Sequence, residues 1–600
     1  MTPAAPRLSG APRPTAPRPT AARRDLLLVA LLAAALFLPG LGARDLWNPD
    51  EARYAVVARN MFDGGGWLVP RINGEVYAEK PPLLFWSIAA LSLPLGGVTE
   101  TTARLPSALA AIGSTVLVFL LGLRLFGRRA AWLGAAAFAT CSKILWQARF
   151  GQIDMLLTAL VALAVWCWVR GETEDRPRLH ALFFLFAGLA TLAKGPVGLL
   201  PPLLSILAFL ALTRDRRGLR RLRAGRGLLL WAAVVLAWLL PAALAGGTEY
   251  LEALVVRQTV TRYADPWHHQ QPWYYYLAVL PGDFFPWSLL LPTAAVVAWR
   301  RIAGGWRPWR RPADATRPAA AGGAEPDRPA PASRAAGAAG AEAGRAGEAA
   351  RARRGLLFAL CWVAVTVLFF SLSSGKRTVY VLTMYPALAL LVGAGLDRLA
   401  AAWEAREPGP SRAWLLVPLG LLAAPLLAAA AALPPVGLRR PELAILGEPF
   451  LWVLEAALLA LLAAVLAAIA FARRRLPVPA AAALAAGMAA LSLAAGLYLL
   501  PGFDAFKSAR PLSAELLRRA APNEPYGIYP HLDSTFLYYT GRNAVPLTSE
   551  SAIDAFLARP GRQWLLARRD DLAEFEKAPR AVEIARDQDR VEGYVLLVDR

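Results

Sequence analysis

The sequence predicts a polytopic α-helical membrane protein of about thirteen spans with a small C-terminal α/β domain. Apolar runs of about 18 or more residues recur along most of its length, each long enough to cross a bilayer as a helix. The composition is 56% hydrophobic and only 18% charged, with a mean hydropathy of +0.40, which excludes an ordinary soluble enzyme. Basic residues collect in short segments between the apolar runs, as topology requires of a membrane protein. That distribution accounts for the net charge of +22 and removes nucleic acid as a partner.

Residues 1–23 are rich in Pro, Ala and Arg and read as a disordered cytoplasmic arm. Arg23-Arg24, the apolar run 25–38 and the small residues before Arg44 imitate a signal peptide, but an uncleaved first span over 24–43 suits the topology better. Further spans are expected near 104–126, 130–147, 155–170, 179–194, 196–213, 228–245, 274–299, 355–373, 378–398, 413–433, 449–472 and 478–500. The run 83–97 is too short, and Pro81, Pro82, Pro94, Gly96 and Gly97 bracket or interrupt it; it reads as interfacial or re-entrant. With 83–97 outside the count, the N-terminal arm shares a side with Arg128-Arg129, the seven arginines from Arg214 to Arg226, Arg300-Arg301 and Arg473-Arg474-Arg475. That side is the cytoplasm, with Arg439-Arg440 the one exception.

The resulting organisation has a catalytic membrane region over 24–300 with an outer-face loop at 44–103. A disordered cytoplasmic linker follows over 301–354, then further transmembrane helices over 355–501 and a periplasmic α/β domain over 502–600. In that domain YGIY (526–529), QWLLARR (563–569) and EGYVLLVDR (592–600) read as strands, and 532–541 and 551–561 as helices. The three cysteines, Cys141, Cys167 and Cys361, lie in apolar runs and imply neither disulfides nor a thiolate metal site.

The same topology places the unusual polar residues in outer-face loops. Asp50 and Glu51 open a helix after Asn48-Pro49, where an acid can serve as a cap. Two adjacent acids followed by Arg53 exceed that need, and a carboxylate beside a cation can orient or deprotonate an acceptor. Lys80 precedes the stiff Pro81-Pro82 pair. One such lysine could simply reach toward headgroups, but Lys194, Arg257, Arg262 and Lys376 fall on the same face from distant loops. Several cations aimed at one region suit a phosphate or pyrophosphate. Asp154 opens a span as either a helix-terminal charge or a functional acid. His269, next to His268, could reach a divalent metal ion with Glu79, although adjacent histidines fit no metal motif; interface or substrate contacts are the alternative.

PDEARYA, a Glu-Lys-Pro-Pro ending the first loop, GQIDM, LAKGP, HHQQPWYYY and SSGKRTVY together resemble the GT-C membrane glycosyltransferases. These include the lipid A aminoarabinose transferases and, more distantly, the protein O-mannosyltransferases. The resemblance covers residues 40–400, and the linker 301–354 departs from it. It implies sugar transfer from a polyprenyl-phosphate donor at the outer face of a bacterial inner membrane, to a lipid A-like glycolipid or to protein Ser/Thr, without a nucleotide cofactor. Asp50 would be the catalytic carboxylate, preferred over Glu51, with Arg53, Glu79 and Lys80 beside it. Lys80, Lys194 and Arg257 or Arg262 would hold donor phosphate, Asp154 would be a second essential acid, and Glu79 with His269 would be a metal site. The alternative, a transporter or flippase of lipid-linked precursors, would favour midplane ionisable residues and internal repeats, and the sequence has neither.

Overall fold

The computed structural model describes residues 19–261, 270–303, 332–406, 411–439, 446, 448–573, 581–586 and 593–599. The chain is mostly helical. Among the described residues, eight helices are long and apolar enough to cross a membrane, or nine if Tyr275–Asp283 and Trp287–Val296, bent by 110°, form one broken span. The expected thirteen are therefore not reached by that measure. Residues 130–147 divide into two short helices, α5 (Arg128–Ala139) and α6 (Ser142–Gln147), and Pro196–Leu212 is shorter than a span. The run after Pro81-Pro82 is a short helix, α3 (Leu83–Ser92), ending in a 3-10 turn, as its length and prolines require.

The main apolar core joins α1 (Pro19–Phe37), α4 (Glu100–Leu125), α5, α7 (Ile153–Glu174) and α8 (Arg178–Lys194) to the helix Tyr385–Glu404. Small residues permit the tightest approach. A Cβ at Gly393 would lie 2.5 Å from the Ala130 carbonyl oxygen, so only glycine fits where that helix crosses α5.

Helix α2 (Asp50–Gly64) is the link between the bundle and the rest. Acids in its first turn complement the helix dipole, and Gly65 at φ 87° ends it. Tyr54, Val57, Ala58 and Met61 pack on α3, α7 and α8, whereas Ala52, Ala55 and Val56 share a core with Leu512, Leu516, Phe536 and Leu537. The C-terminal residues thus share one core with α2 and have a second of their own around Leu547, Phe556, Leu565 and Leu597.

The first loop carries a short hairpin, β1 (Arg71–Ile72) and β2 (Glu75–Val76), and the five C-terminal strands are β3 (Tyr526–Tyr529), β4 (Val545–Pro546), β5 (Trp564–Arg568), β6 (Ala581–Arg586) and β7 (Tyr594–Asp599), in the order β4-β3-β5-β7-β6. β3 runs parallel to β4 and β5, and β7 antiparallel to β5 and β6. The sequence named β3, β5 and β7 but missed β4, too short to show a pattern, and β6. Backbone-directed bonds fasten this sheet region to the first loop: Arg59 donates to the Tyr538 and Leu537 carbonyls, and Asn73 exchanges a pair of bonds with Ala544. Of the expected linker, 304–331 lie outside the described residues, and the rest differs from its reading. From Ala332 it is helical and continuous with the span to Leu372, because its many alanines carry the highest helix propensity.

Truncation after Gly502 should expose the face of α2 that carries Ala52 and Val56 and leave residues 44–103 open to protease. Limited proteolysis in detergent checks this; an unchanged cleavage pattern would show that the loop holds itself.

Candidate functional site

The two adjacent acids of the first loop have different fates. On a helix, successive side chains point about 100° apart. Glu51 turns inward and is fully enclosed. Arg44 reaches its carboxylate at 2.8 and 3.1 Å, Arg104 at 2.8 and 3.0 Å, and the Trp47 and Gly151 amides donate at 3.2 and 3.0 Å. Burial alone would raise this carboxyl, but Arg104 and then Arg44 outweigh it and bring it to about 2. With every lone pair engaged, Glu51 cannot take part in proton transfer. It is a clamp rather than the catalytic acid the sequence allowed. Gly151 is part of the same device, since a Cβ there would lie 2.9 Å from the Ala103 carbonyl and 3.3 Å from Glu51 Cγ.

Asp50 faces the other way, half-buried. Its Oδ2 accepts from Arg377 at 3.1 Å and from Gln152 at 3.3 Å. One turn along α2, Arg53 pairs with Glu79 at 3.0 Å, and the Tyr77 hydroxyl also reaches Glu79. Lys80 is half-buried beside them, its ammonium donating to the Glu79 carbonyl at 3.1 Å. Asp154, in the first turn of α7, is paired with Lys194 at the end of α8, and Lys194 Nζ stands 4.6 Å over the Tyr380 ring.

Tyr54 lies among these groups. Burial, reinforced by the charges of Asp50 and Asp154, pushes its phenol well above the ordinary value, so it stays protonated and serves only as a neutral group. Arg377 loses ground through burial, yet the charge of Asp50 leaves it more firmly protonated than a free arginine. The first loop, the start of α7, the end of α8 and the turn 377–380 therefore converge on one cluster of alternating acids and cations.

Of the sequence candidates, Asp50, Arg53, Glu79, Lys80, Asp154 and Lys194 meet there. Lys376 does not. It is buried and donates to the Ser373 and Gln271 carbonyls, and burial lowers its proton affinity. Its neighbour Arg377, on extended backbone, points the opposite way and occupies the position expected of Lys376. Arg257 is exposed on Glu252–Thr261 and forms no ion pair among the described residues. Arg262 and His269 lie outside the described residues. No group of three metal-ligating side chains occurs among the described residues, and Glu79 uses its Oε2 for Arg53. Gln152, Tyr54 and Tyr380 entered the sequence reading only inside GQIDM, PDEARYA and SSGKRTVY, and none of them, nor Tyr77, was given a role.

Residues 79–244 match the family described as dolichyl-phosphate-mannose-protein mannosyltransferase. The structure of ArnT from Cupriavidus metallidurans bound to undecaprenyl phosphate aligns with a TM-score of 0.71 at 21% identity, covering 96% of this chain and 98% of that one. The chain shares the fold of that structure. In sequence, it is 28% identical over 389 residues to the undecaprenyl phosphate-alpha-4-amino-4-deoxy-L-arabinose arabinosyl transferase of Shewanella sediminis, over 64% of its own length and 61% of that protein. It is 31% identical over 383 residues to the protein of that name in Pectobacterium carotovorum, over 62% and 59% of the respective lengths. It thus spans about three fifths of the length of these curated relatives.

Glu51→Gln should destabilise the protein by about 3–5 kcal/mol, because it strands two buried guanidiniums on a neutral partner. The depressed carboxyl also sets a pH window. Its contribution is fully present above the ordinary value of 4.5 and is lost as pH falls through about 2. Thermal melts of wild type and Glu51→Gln in detergent between pH 7 and about pH 2 check both points, with the gap between them narrowing toward acid.

Proposed function

We propose that this chain is an integral-membrane glycosyltransferase that moves a sugar from a polyprenyl-phosphate donor to an outer-face acceptor, a lipid A-like glycolipid ahead of a protein hydroxyl. The observation that carries this reading is the convergence of the Asp50–Arg377 and Asp154–Lys194 pairs beside Arg53 and Lys80 at one end of the helices. The undecaprenyl phosphate-linked sugar in the names of the similar arabinosyl transferases supports the donor class. The same geometry supports an orientation. Arg104 marks the site end of α4, and Arg128 and Arg129 follow its other end, so the basic clusters lie opposite the site. A cytoplasmic N-terminus and an external C-terminal sheet region agree with that arrangement in a bacterial inner membrane.

In the reaction, the bond between the anomeric carbon and the donor phosphate breaks, and the electron pair leaves with the phosphate. Arg377, Lys194 and Lys80 are fixed cations in a partly desolvated site, where they stabilise that growing charge without reorganising. The acceptor oxygen then bonds to the anomeric carbon. For a hydroxyl acceptor, Asp50 takes the proton; a phosphate acceptor arrives ionised, and Asp50 then only orients it through the local field. The donor carries its own leaving group, so no nucleotide enters, and a divalent ion at Glu79 and His269 forms no step of this scheme.

Asp50→Asn should lower kcat by about 100-fold or more while the melting temperature stays near wild type. Arg377→Gln should lower kcat/KM for the donor by about 100-fold. Transfer from undecaprenyl-phosphate aminoarabinose to lipid A, followed by mass spectrometry with purified protein in lipid, measures both. Wild-type rates in Asp50→Asn would overturn its role, and an unmodified lipid A alongside a modified secreted protein would reassign the acceptor.

A further inference from the structure

A second ionic cluster, outside the site, lies against the same turn that closes it. Lys143 on α6 places Nζ 3.4 Å from Asp283 Oδ2 and donates to the Thr378 hydroxyl. Asp283 ends the helix Tyr275–Asp283, at the 110° break before Trp287–Val296. The break is bound to α6: the Ser142 amide donates to the Phe285 carbonyl at 2.8 Å, its hydroxyl to the Asp283 carbonyl at 2.9 Å, and Trp287 Nε1 to the Thr140 hydroxyl at 3.1 Å. Lys143 is therefore fixed at its base by a rigid corner.

Thr378 is the informative partner. It begins the 3-10 segment Thr378–Met384. Arg377, immediately before it, holds Asp50; Tyr380, two residues on, lies beneath Lys194, which holds Asp154. One short turn touches both acid–cation pairs, and between those two contacts Lys143 bonds its Thr378 side chain while Val379 is buried. On the N-terminal side, the Gln271 amide donates to the Ser374 carbonyl at 3.0 Å and Lys376 donates to the Gln271 carbonyl at 2.9 Å, so the segment is held at both ends.

We propose that Lys143, buttressed by Asp283, is a positioning residue that sets the 377–380 turn, and with it Arg377 and Tyr380, against the two acids of the transfer site. The kinetic consequence rests on the transferase reading above. The pair sits at the mouth of a broken helix, so it couples the geometry of that corner to the cations that meet the donor phosphate. Lys143 touches neither acid itself.

Thr378→Val removes only the hydroxyl and leaves the Lys143–Asp283 pair intact; Lys143→Met removes the tether's charged end. Both should speed amide hydrogen exchange in residues 373–380 and raise donor KM by about 10-fold with acceptor KM unchanged. Thr378→Ser and Lys143→Arg should restore most of the loss. A merely structural role would lower the active fraction, and hence Vmax, without moving donor KM. In the double variant the effects should be no greater than in either single one, since both break the same link. Exchange and donor KM unchanged in Thr378→Val would overturn the proposal, as would effects that multiply in the double variant. If Lys143→Met does not fold, Thr378→Val alone decides. Should the wild-type protein transfer no sugar, the transferase reading fails, and the exchange measurement still decides whether Lys143 sets the turn.

Discussion

The carboxylate of Glu51, enclosed by Arg44 and Arg104, is the contact on which the arrangement depends. Three charges are almost removed from water there, which costs several kcal/mol per ion unless geometry and hydrogen bonding compensate. Compensation is complete on the carboxylate side, and the guanidiniums use their remaining donors on the Leu41, Arg44, Asp45 and Arg149 carbonyls. The clamp ties the end of α1, the start of α2, the first turns of α4 and the segment before α7 into one register. A group so fully engaged has no freedom for chemistry. Its rigidity is what lets the adjacent Asp50 present a carboxylate to Arg377 and Gln152 at a fixed place.

How much of this was legible in the sequence depends on the distance of the partners along the chain. The PDEARYA segment was marked as functional from its charge pattern, and Asp50, Arg53, Glu79, Lys80, Asp154 and Lys194 do meet. The resemblance preferred Asp50 over Glu51, but the residues alone did not separate them, because their partners are Arg104, 53 residues from Glu51, and Arg377, 327 residues from Asp50. The choice between Lys376 and Arg377 failed for a local reason. On extended backbone, neighbouring side chains point to opposite faces, and charge alone cannot say which face is the site.

The membrane region and the C-terminal residues show a second limit. Hydropathy found apolar runs, but a run can be a span, a short helix stopped by Thr140 and Cys141, or half of a pair bent at Phe284 and Phe285. Composition likewise separated residues 502–600 from the bundle because their pattern changes to alternating strands. It could not show that Leu512, Leu516 and Phe536 bury against Ala52 and Val56 of the first loop. Non-local burial leaves no periodic trace when each side supplies only part of the apolar face. The Ala-rich stretch before residue 355 erred in the opposite direction: too polar to form a core alone, it still has the propensity to extend a neighbouring helix.

The pairing within the site constrains how a charged substrate can enter it. Arg377 and Lys194 are each already held by a carboxylate, which keeps these partly buried cations compensated while the site is empty. Under the proposed function, an anionic phosphate would compete with Asp50 and Asp154 for the same donors, and bidentate bonding would favour it at Arg377. The same exchange explains why the cations must be fixed from behind. If the 377–380 turn moved with the incoming phosphate, Arg377 could follow its new partner, and Asp50 would lose both its counter-charge and its position. Anchoring the turn at Thr378 lets the hydrogen bonds change partner while the backbone stays still.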